Sequence, residues 1–181
     1  MKKILLPLTL LAIFSCNNDP VKTDTTVNKD STARALYEKN LSSLQKGIRA
    51  FENKNLEEWG TTVSDTTIWN SAAYGSSPAG KAEWRKTLAA YIADWDTLKL
   101  MYPDFLPGID SATHEFDGSV RYYGIWNGIH KSGVRTSVNF YATYDFDKDG
   151  KIVNASEFFD VGGLMNAINK KSSIQKLQVK P

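Results

Sequence analysis

The acidic residue best placed for acid or base chemistry is Asp160, which follows Phe158 and Phe159 at the end of a predicted strand. A carboxyl group at the rim of a pocket loses part of its hydration, which favours its neutral form and suits it to proton transfer. Aspartate is also a preferred helix N-cap, and a helix is predicted to follow directly. Both roles stay open for Asp160. Asp65 and Asp104 are rival acids, and a turn or a cap also explains each of them.

Aromatic side chains are the second functional signal. Most of them must form the core, because a sheet that packs against helices needs their volume. Tyrosine and tryptophan also carry polar groups that need partners when buried, and a pocket provides a place for those groups. We therefore predict a pocket for a small apolar or amphipathic molecule. The residues predicted to line it are Trp69, Tyr122, Trp126, Tyr144 and Phe158.

Two patterns that resemble metal sites have simpler explanations. The run from Asp145 to Gly150 begins like a calcium-binding loop, but Ser156 stands where that loop needs an acid. A hairpin turn explains the same residues, because Gly150 can adopt a positive φ. His114 and His130 are the only histidines, and with a single cysteine in the chain they are too few for a zinc site. We predict no metal and no cofactor.

Three predicted helices precede the main sheet, because apolar residues recur at spacings of three and four in each of them. The three stripes are Tyr37, Leu41, Leu44, Ile48 and Phe51; Leu56, Trp59 and Val63; and Trp84, Leu88, Tyr91 and Trp95. The first helix is expected to begin near Ser31 and the third at Ser77-Pro78, which provide N-cap and first-turn residues. A short strand over residues 66–69 separates the second and third helices.

Alternating side chains predict three long antiparallel strands over residues 120–130, 134–146 and 151–159. One face of the second strand is apolar and consists of Val134, Val138, Phe140, Ala142, Tyr144 and Phe146. Residues 96–108 contain two prolines, which limit this segment to an edge strand or a loop. A closing helix is expected after Asp160. The predicted fold class is therefore α+β.

The order of these elements is similar to that of the nuclear-transport-factor-2-like superfamily, in particular its SnoaL-like and ketosteroid-isomerase-like members. The matching motifs are Tyr102-Pro103-Asp104-Phe105, Asp149-Gly150-Lys151-Ile152-Val153 and Glu157-Phe158-Phe159-Asp160. The resemblance implies a curved antiparallel sheet that forms a cone (half-barrel), three N-terminal helices on its concave face and a short C-terminal helix. The superfamily holds isomerases, cyclases, dehydratases and protein-binding modules, so the resemblance implies no single function.

Residues 1–15 resemble the signal peptide of a bacterial lipoprotein. Two lysines precede an apolar run that ends at Phe14, and Ser15 stands directly before Cys16. The run is too short to span a bilayer. The resemblance implies that Cys16 becomes the lipidated N-terminus, which places the domain in the bacterial cell envelope, lipid-anchored and extracytoplasmic. An ordinary cleaved signal with a chance cysteine is the alternative.

The rest of the chain divides into three parts. Residues 16–31 are polar and lack apolar periodicity, which predicts a flexible tether. Residues 32–170 form the domain, and residues 171–181 are a basic tail without an acid. The chain has 22 basic and 20 acidic residues, and loss of the signal with its two lysines leaves 20 of each. Such a balanced charge argues against nucleic-acid binding, which needs a basic patch, so the expected membrane contact is the lipid anchor only.

Three functions follow from these observations. The leading one is a membrane-anchored, extracytoplasmic binding domain with an aromatic pocket and no clear catalytic set. The alternative is a pocket enzyme that performs proton transfer, of the isomerase, cyclase or dehydratase type, with Asp160 as the base and a tyrosine as the donor. The third is an interaction module that forms a homodimer through the outer face of the sheet.

Lipidation at Cys16 can be tested by metabolic labelling. Cells grown with a fatty-acid analogue should label the wild-type protein and leave Cys16→Ser unlabelled, because serine has no thiol to carry the lipid. Equal labelling of both proteins would contradict the assignment of Cys16.

Overall fold

A computed structural model of the protein describes the backbone of residues 25–178 and the side chains of residues 31–170. The predicted signal, Cys16 and the first part of the predicted tether lie outside the described residues. The elements are α1 (Thr25–Glu52), α2 (Leu56–Thr61), β1 (Val63–Asn70), α3 (Lys81–Asp94), β2 (Trp95–Ile109), β3 (Phe116–His130), β4 (Arg135–Phe146), β5 (Ile152–Phe158) and α4 (Val161–Gln178).

The strands form one curved, unclosed sheet in the order β1-β5-β4-β3-β2. β1 runs parallel to β5, and every other neighbouring pair is antiparallel. β2 pairs with β3 alone and is an edge strand, which its prolines require; the pairing shifts register between Met101 and Asp104, on either side of Pro103. α1, α2 and α3 cover the concave face, and α4 follows β5. The predicted α+β class is confirmed.

Cross-strand register decides which side chains face the helices. Tyr122 of β3 pairs with Ala142 of β4, and Ala142 pairs with Glu157 of β5. Tyr122 and Ala142 are both buried, so this row of the sheet faces the core. Side chains of neighbouring strands at paired positions lie on the same face. Glu157 therefore belongs to the concave face together with Tyr122.

The helices differ from the sequence-based prediction at their ends. Within the described backbone, α1 already includes Thr25, ahead of the expected start at Ser31, and α4 extends to Gln178, within the predicted tail. Once a helix has formed, each further residue adds a hydrogen bond at little cost, so polar residues can extend a helix beyond its apolar stripe.

The start of α3 is also different, and a tertiary contact explains it. The backbone of Ala79 exchanges two hydrogen bonds with Trp69 of β1, at 2.7 and 2.9 Å. This pairing holds Ala79 in an extended conformation, so the helix cannot begin at Ser77-Pro78. Gly80 becomes the N-cap, and α3 starts at Lys81.

The acids between β4 and β5 close a hairpin turn, as predicted. Asp147 Oδ1 accepts hydrogen bonds from the backbone N–H groups of Asp149 and Lys151, both at 2.9 Å. Gly150 has a φ of 81°, in the region that favours glycine. In the part of the chain whose side chains are described, no three His, Cys, Asp or Glu residues are grouped in a way that could hold a metal ion.

The two histidines lie apart from each other. His114 is exposed, in the loop between β2 and β3, while His130 ends β3 and packs edge-on against Trp95 at 4.8 Å between ring centroids. Within residues 25–178, no helix has the length and apolar character needed to cross a bilayer.

Candidate functional site

A cavity of about 120 Å³ lies between the concave face of the sheet and the helices. Some of the side chains that line it are buried, among them Trp59, Trp84 and Tyr144. Others, such as Leu88 and Leu164, are partly exposed. The remaining lining residues include Leu44, Ile48, Phe51, Tyr91, Trp95, Leu98, Tyr122, Trp126, Thr136, Val138, Phe140, Ile152, Glu157 and Phe159. The cavity is thus a largely aromatic and aliphatic chamber that is partly open to solvent.

Glu157 is the only charged residue among the described residues that line this cavity. The residue retains some accessible surface, yet burial of its carboxyl is the largest influence on its acidity and raises its pKa to about 7. The hydration of the ionised oxygens decides the pKa, so burial of the carboxyl group outweighs the partial exposure of the rest of the side chain. Near neutral pH, Glu157 is divided between its neutral and ionised forms.

Two indole groups oppose this shift. The N–H groups of Trp69 and Trp84 lower the pKa of Glu157 as hydrogen-bond donors to its carboxylate. Both Nε1 atoms are buried, and neither has a hydrogen bond of standard geometry. The geometry is thus too loose for a fully formed bond, while the electrostatic attraction remains. The carboxyl has two weak partners and no cation: no ion pair of the described residues includes it.

Three tyrosines near Glu157 stay protonated. Burial, together with the nearby Glu157 carboxylate, raises the pKa of Tyr91 to about 12. Burial also raises the pKa values of Tyr122 and Tyr144, with the Glu157 carboxylate again contributing. The hydroxyl of Tyr122 accepts a hydrogen bond from Trp126 Nε1 at 3.1 Å. These phenols can donate hydrogen bonds, but none can neutralise a carboxylate.

The five aromatic residues predicted to line the pocket have three different placements. Tyr122, Trp126 and Tyr144 line the cavity. Trp69 lies behind Trp84, with the two indoles stacked at 5.9 Å between centroids, and reaches the site through its N–H group. Phe158 faces away from the cavity.

The orientation of Phe158 follows from β-sheet alternation. Glu157 points into the cavity, so the next residue along β5 must point outward. Phe158 is 54% exposed and stacks on Tyr141, which stacks in turn on Tyr123. Phe159 lines the cavity in place of Phe158. The correct pattern was present in the sequence, since Ala155, Glu157 and Phe159 alternate with outward-facing residues.

Asp160 lies outside the cavity and caps α4. Its Oδ1 accepts a hydrogen bond from the Gly163 N–H at 2.7 Å, and the residue is exposed. A cap of this kind stabilises a helix by about 1 kcal/mol. Of the rival acids, Asp65 is exposed and pairs with Lys81 at 2.8 Å, and Asp104 is exposed on the edge strand β2. None of these three carboxyl groups lines the pocket.

Glu157 was missed because sequence reasoning considered it only as part of the Glu157-Phe158-Phe159-Asp160 motif. The available signal was its position between Ala155 and Phe159 on the packed face of a strand. Charged residues are rarely buried on such a face unless they are paired.

The raised pKa of Glu157 predicts an unusual dependence of stability on pH. The folded state holds the proton up to about pH 7, whereas the unfolded chain releases it near pH 4.5. The contribution of Glu157 is therefore fully present below pH 4.5 and is lost as pH rises through 7, by up to about 3 kcal/mol. Glu157→Gln stays neutral, so it should match the wild type at pH 4 and exceed its free energy of unfolding at pH 8, as measured by urea denaturation.

The control for this comparison is Glu83→Gln, which removes an exposed carboxylate from α3 that pairs with Lys86. It should keep the wild-type difference in stability between pH 4 and pH 8. If Glu157→Gln showed that same difference, the assignment of a buried, proton-binding carboxyl would be wrong.

No protein-family model matches the chain, and no curated protein matches it significantly. Solved structures, in contrast, do match the chain. A Bacillus subtilis protein assigned as an isomerase has a TM-score of 0.62 and 18% identity, over 74% of this chain and 95% of that one. The BvnE pinacolase from Penicillium brevicompactum has a TM-score of 0.61 and 13% identity, over 77% and 94%.

A third matching structure belongs to a protein whose fold is known. An NTF2-like protein of unknown function from Burkholderia pseudomallei has a TM-score of 0.58 and 17% identity, over 72% of this chain and 97% of that one. Identities at this level establish architecture and leave function open. The chain therefore has the cone fold of nuclear-transport-factor-2-like proteins.

Proposed function

We propose that this domain binds a small apolar or amphipathic molecule in the chamber, with one polar group of that molecule next to Glu157. The observation that carries this proposal is the chamber itself, an apolar space with one charged side chain among its described lining residues. Ligand sites are typically apolar concavities in which a few polar groups determine orientation. An apolar cavity of about 150 Å³ can hold a molecule as small as benzene, so about 120 Å³ suits one ring or one end of a larger ligand.

The walls of the chamber support a preformed site. Tyr122 stacks on Phe140 at 5.5 Å between centroids, and Phe140 stacks on Phe159 at 5.3 Å. On the helical side, Trp59 packs edge-on against Trp84 at 5.1 Å. Aromatic rings in mutual contact lose little further freedom when a ligand arrives, which favours affinity.

Filling the cavity should abolish binding. Val138 of β4 lines the chamber, and Val138→Phe places a ring in the space that a ligand would take. The neutral probe 3-phenylpropan-1-ol should change the tryptophan fluorescence of the wild type in a saturable way. In Val138→Phe we expect its affinity to fall at least tenfold, which corresponds to about 1.4 kcal/mol.

The neighbouring residue provides a matched control, because Asn139 is exposed on the opposite face of the same strand. Asn139→Phe adds the same ring outside the chamber and should leave the affinity unchanged. Equal affinity of the probe for the wild type and Val138→Phe would place its binding elsewhere.

Proton transfer next to a carbonyl group is a second candidate, and the position of Glu157 favours it. An ionised Glu157 could take a proton from a carbon next to the carbonyl, while a protonated tyrosine donates a hydrogen bond to the developing oxyanion. Returning the proton to another carbon would complete an isomerisation. The base would then be Glu157 and not Asp160. Related folds include proteins named as an isomerase and a pinacolase.

Proton transfer of this kind predicts that hydrogen atoms beside the carbonyl group exchange with solvent. With 4-phenylbutan-2-one in heavy water, the wild type should speed the uptake of deuterium beside the carbonyl, as measured by NMR. Glu157→Gln should lower that rate by a factor on the order of 100 or more, because glutamine cannot accept the proton. If deuterium uptake in the presence of the wild type were no faster than without protein, proton transfer on this substrate class would be ruled out.

The anchor and the dimer remain proposals. Lipid attachment at Cys16 would hold the chamber at the extracytoplasmic face of a bacterial membrane. The aromatic row of Tyr123, Tyr141 and Phe158, in which Tyr123 and Phe158 are exposed, is the part of the outer face that a homodimer would cover.

A further inference from the structure

The charge of the chamber restricts the charge of its ligand. Glu157 is the single charged group among the described lining residues. The lining from α1, α2, β2 and α4 carries no titratable side chain, as its members Leu44, Ile48, Phe51, Trp59, Trp95, Leu98 and Leu164 illustrate. The titratable groups that face Glu157 are Tyr91 from α3, Tyr122 from β3 and Tyr144 from β4. All three are neutral phenols, so no positively charged group among the described residues pairs with the carboxylate.

The hydrogen-bond donors beside Glu157 also leave it incompletely paired. Trp69 and Trp84 direct indole N–H groups at the carboxylate, yet neither completes a hydrogen bond of standard geometry. An ionised carboxylate has about four acceptor positions. A ligand that brings several donors and a positive charge would satisfy the positions that the protein leaves open.

The aromatic walls favour the same kind of ligand. Cations are attracted to the faces of tryptophan and tyrosine rings, and this attraction strengthens where water is excluded. Trp59, Trp84 and Trp126 all contribute to the lining. An anion would instead meet the carboxylate in an apolar space with no cation nearby, where like charges repel strongly.

On this basis we propose that the ligand of this chamber carries a protonated amine on an apolar body, and that Glu157 selects it over carboxylates and phosphates. The ammonium group lies against the Glu157 carboxylate, and the apolar body fills the aromatic chamber. This inference rests on the proposed binding function and names the class of its ligand. It also links binding to pH, since the ammonium pairs with the ionised form of Glu157 alone.

Three probes with one skeleton test this selectivity: 3-phenylpropan-1-amine, 3-phenylpropan-1-ol and 3-phenylpropanoate, each titrated calorimetrically into the wild-type protein. At pH 8 the amine should bind at least tenfold more tightly than the alcohol, and the carboxylate should bind most weakly. Between pH 8 and pH 5 the affinity for the amine should fall at least tenfold, because fewer molecules carry an ionised Glu157 while the amine stays protonated. The affinity for the alcohol should change less than threefold.

Two variants identify the responsible group. Glu157→Gln should reduce the affinity for the amine to that for the alcohol and remove its pH dependence, while Glu157→Asp should retain part of both because it keeps the charge. Glu83→Gln, on the exposed face of α3, should behave as the wild type. Thermal melting of each variant checks that it is folded.

The outcomes separate this inference from the proposed function. If the alcohol binds the wild type but not Val138→Phe, and the amine has no advantage over the carboxylate, the charge selectivity is wrong and the pocket stands. If the amine keeps its advantage in Glu157→Gln, Glu157 is not its source and the inference fails. If none of the three probes binds, the proposed binding function fails for this ligand size, and the inference fails with it.

Discussion

The placement of one carboxyl group against two indole N–H groups determines the character of the concave face. A carboxylate without partners in an apolar interior is costly, and it either takes up a proton or finds donors. Glu157 does both in part, since its pKa rises to about 7 while Trp69 and Trp84 act against that rise. The two indoles come from β1 and α3. The acidity of Glu157 therefore depends on how the helices pack against the sheet.

The concave face combines large and small side chains in a way that leaves room. Ala142 stands between Tyr122 and Glu157 in one cross-strand row, and Ala155 stands beside Tyr144 in the next. Both alanines are completely buried, so they lie beneath the rings and do not fill the space above the sheet. The aromatic residues then line the chamber from its sides. A larger residue at position 142 would occupy space beside the carboxyl group of Glu157.

The periodic features of the sequence were sufficient to predict the sheet and much of the pocket. Alternation placed Tyr144 on the packed face of β4, and the resemblance to cone folds predicted helices over that face. The same alternation along β5 places Glu157 and Phe159 on the packed face with Ala155, and Phe158 on the opposite face. It would therefore have selected Glu157 and Phe159 instead of Phe158. The start of α3 could not be predicted, because the backbone pairing of Ala79 with Trp69 joins residues of two separate elements.

By itself, the sequence determined the local features of this protein: its helical stripes, its strand alternation and the turn at Gly150, all of which depend on neighbouring residues. It also identified Asp160 as a suitable N-cap, a role that needs only the next three residues. Only the tertiary structure decided which carboxyl enters the pocket and how acidic that carboxyl is. The partners of Glu157, namely Trp69, Trp84 and three tyrosines, come from four different elements. Desolvation and charge are set by such distant residues, and no spacing along the chain records them.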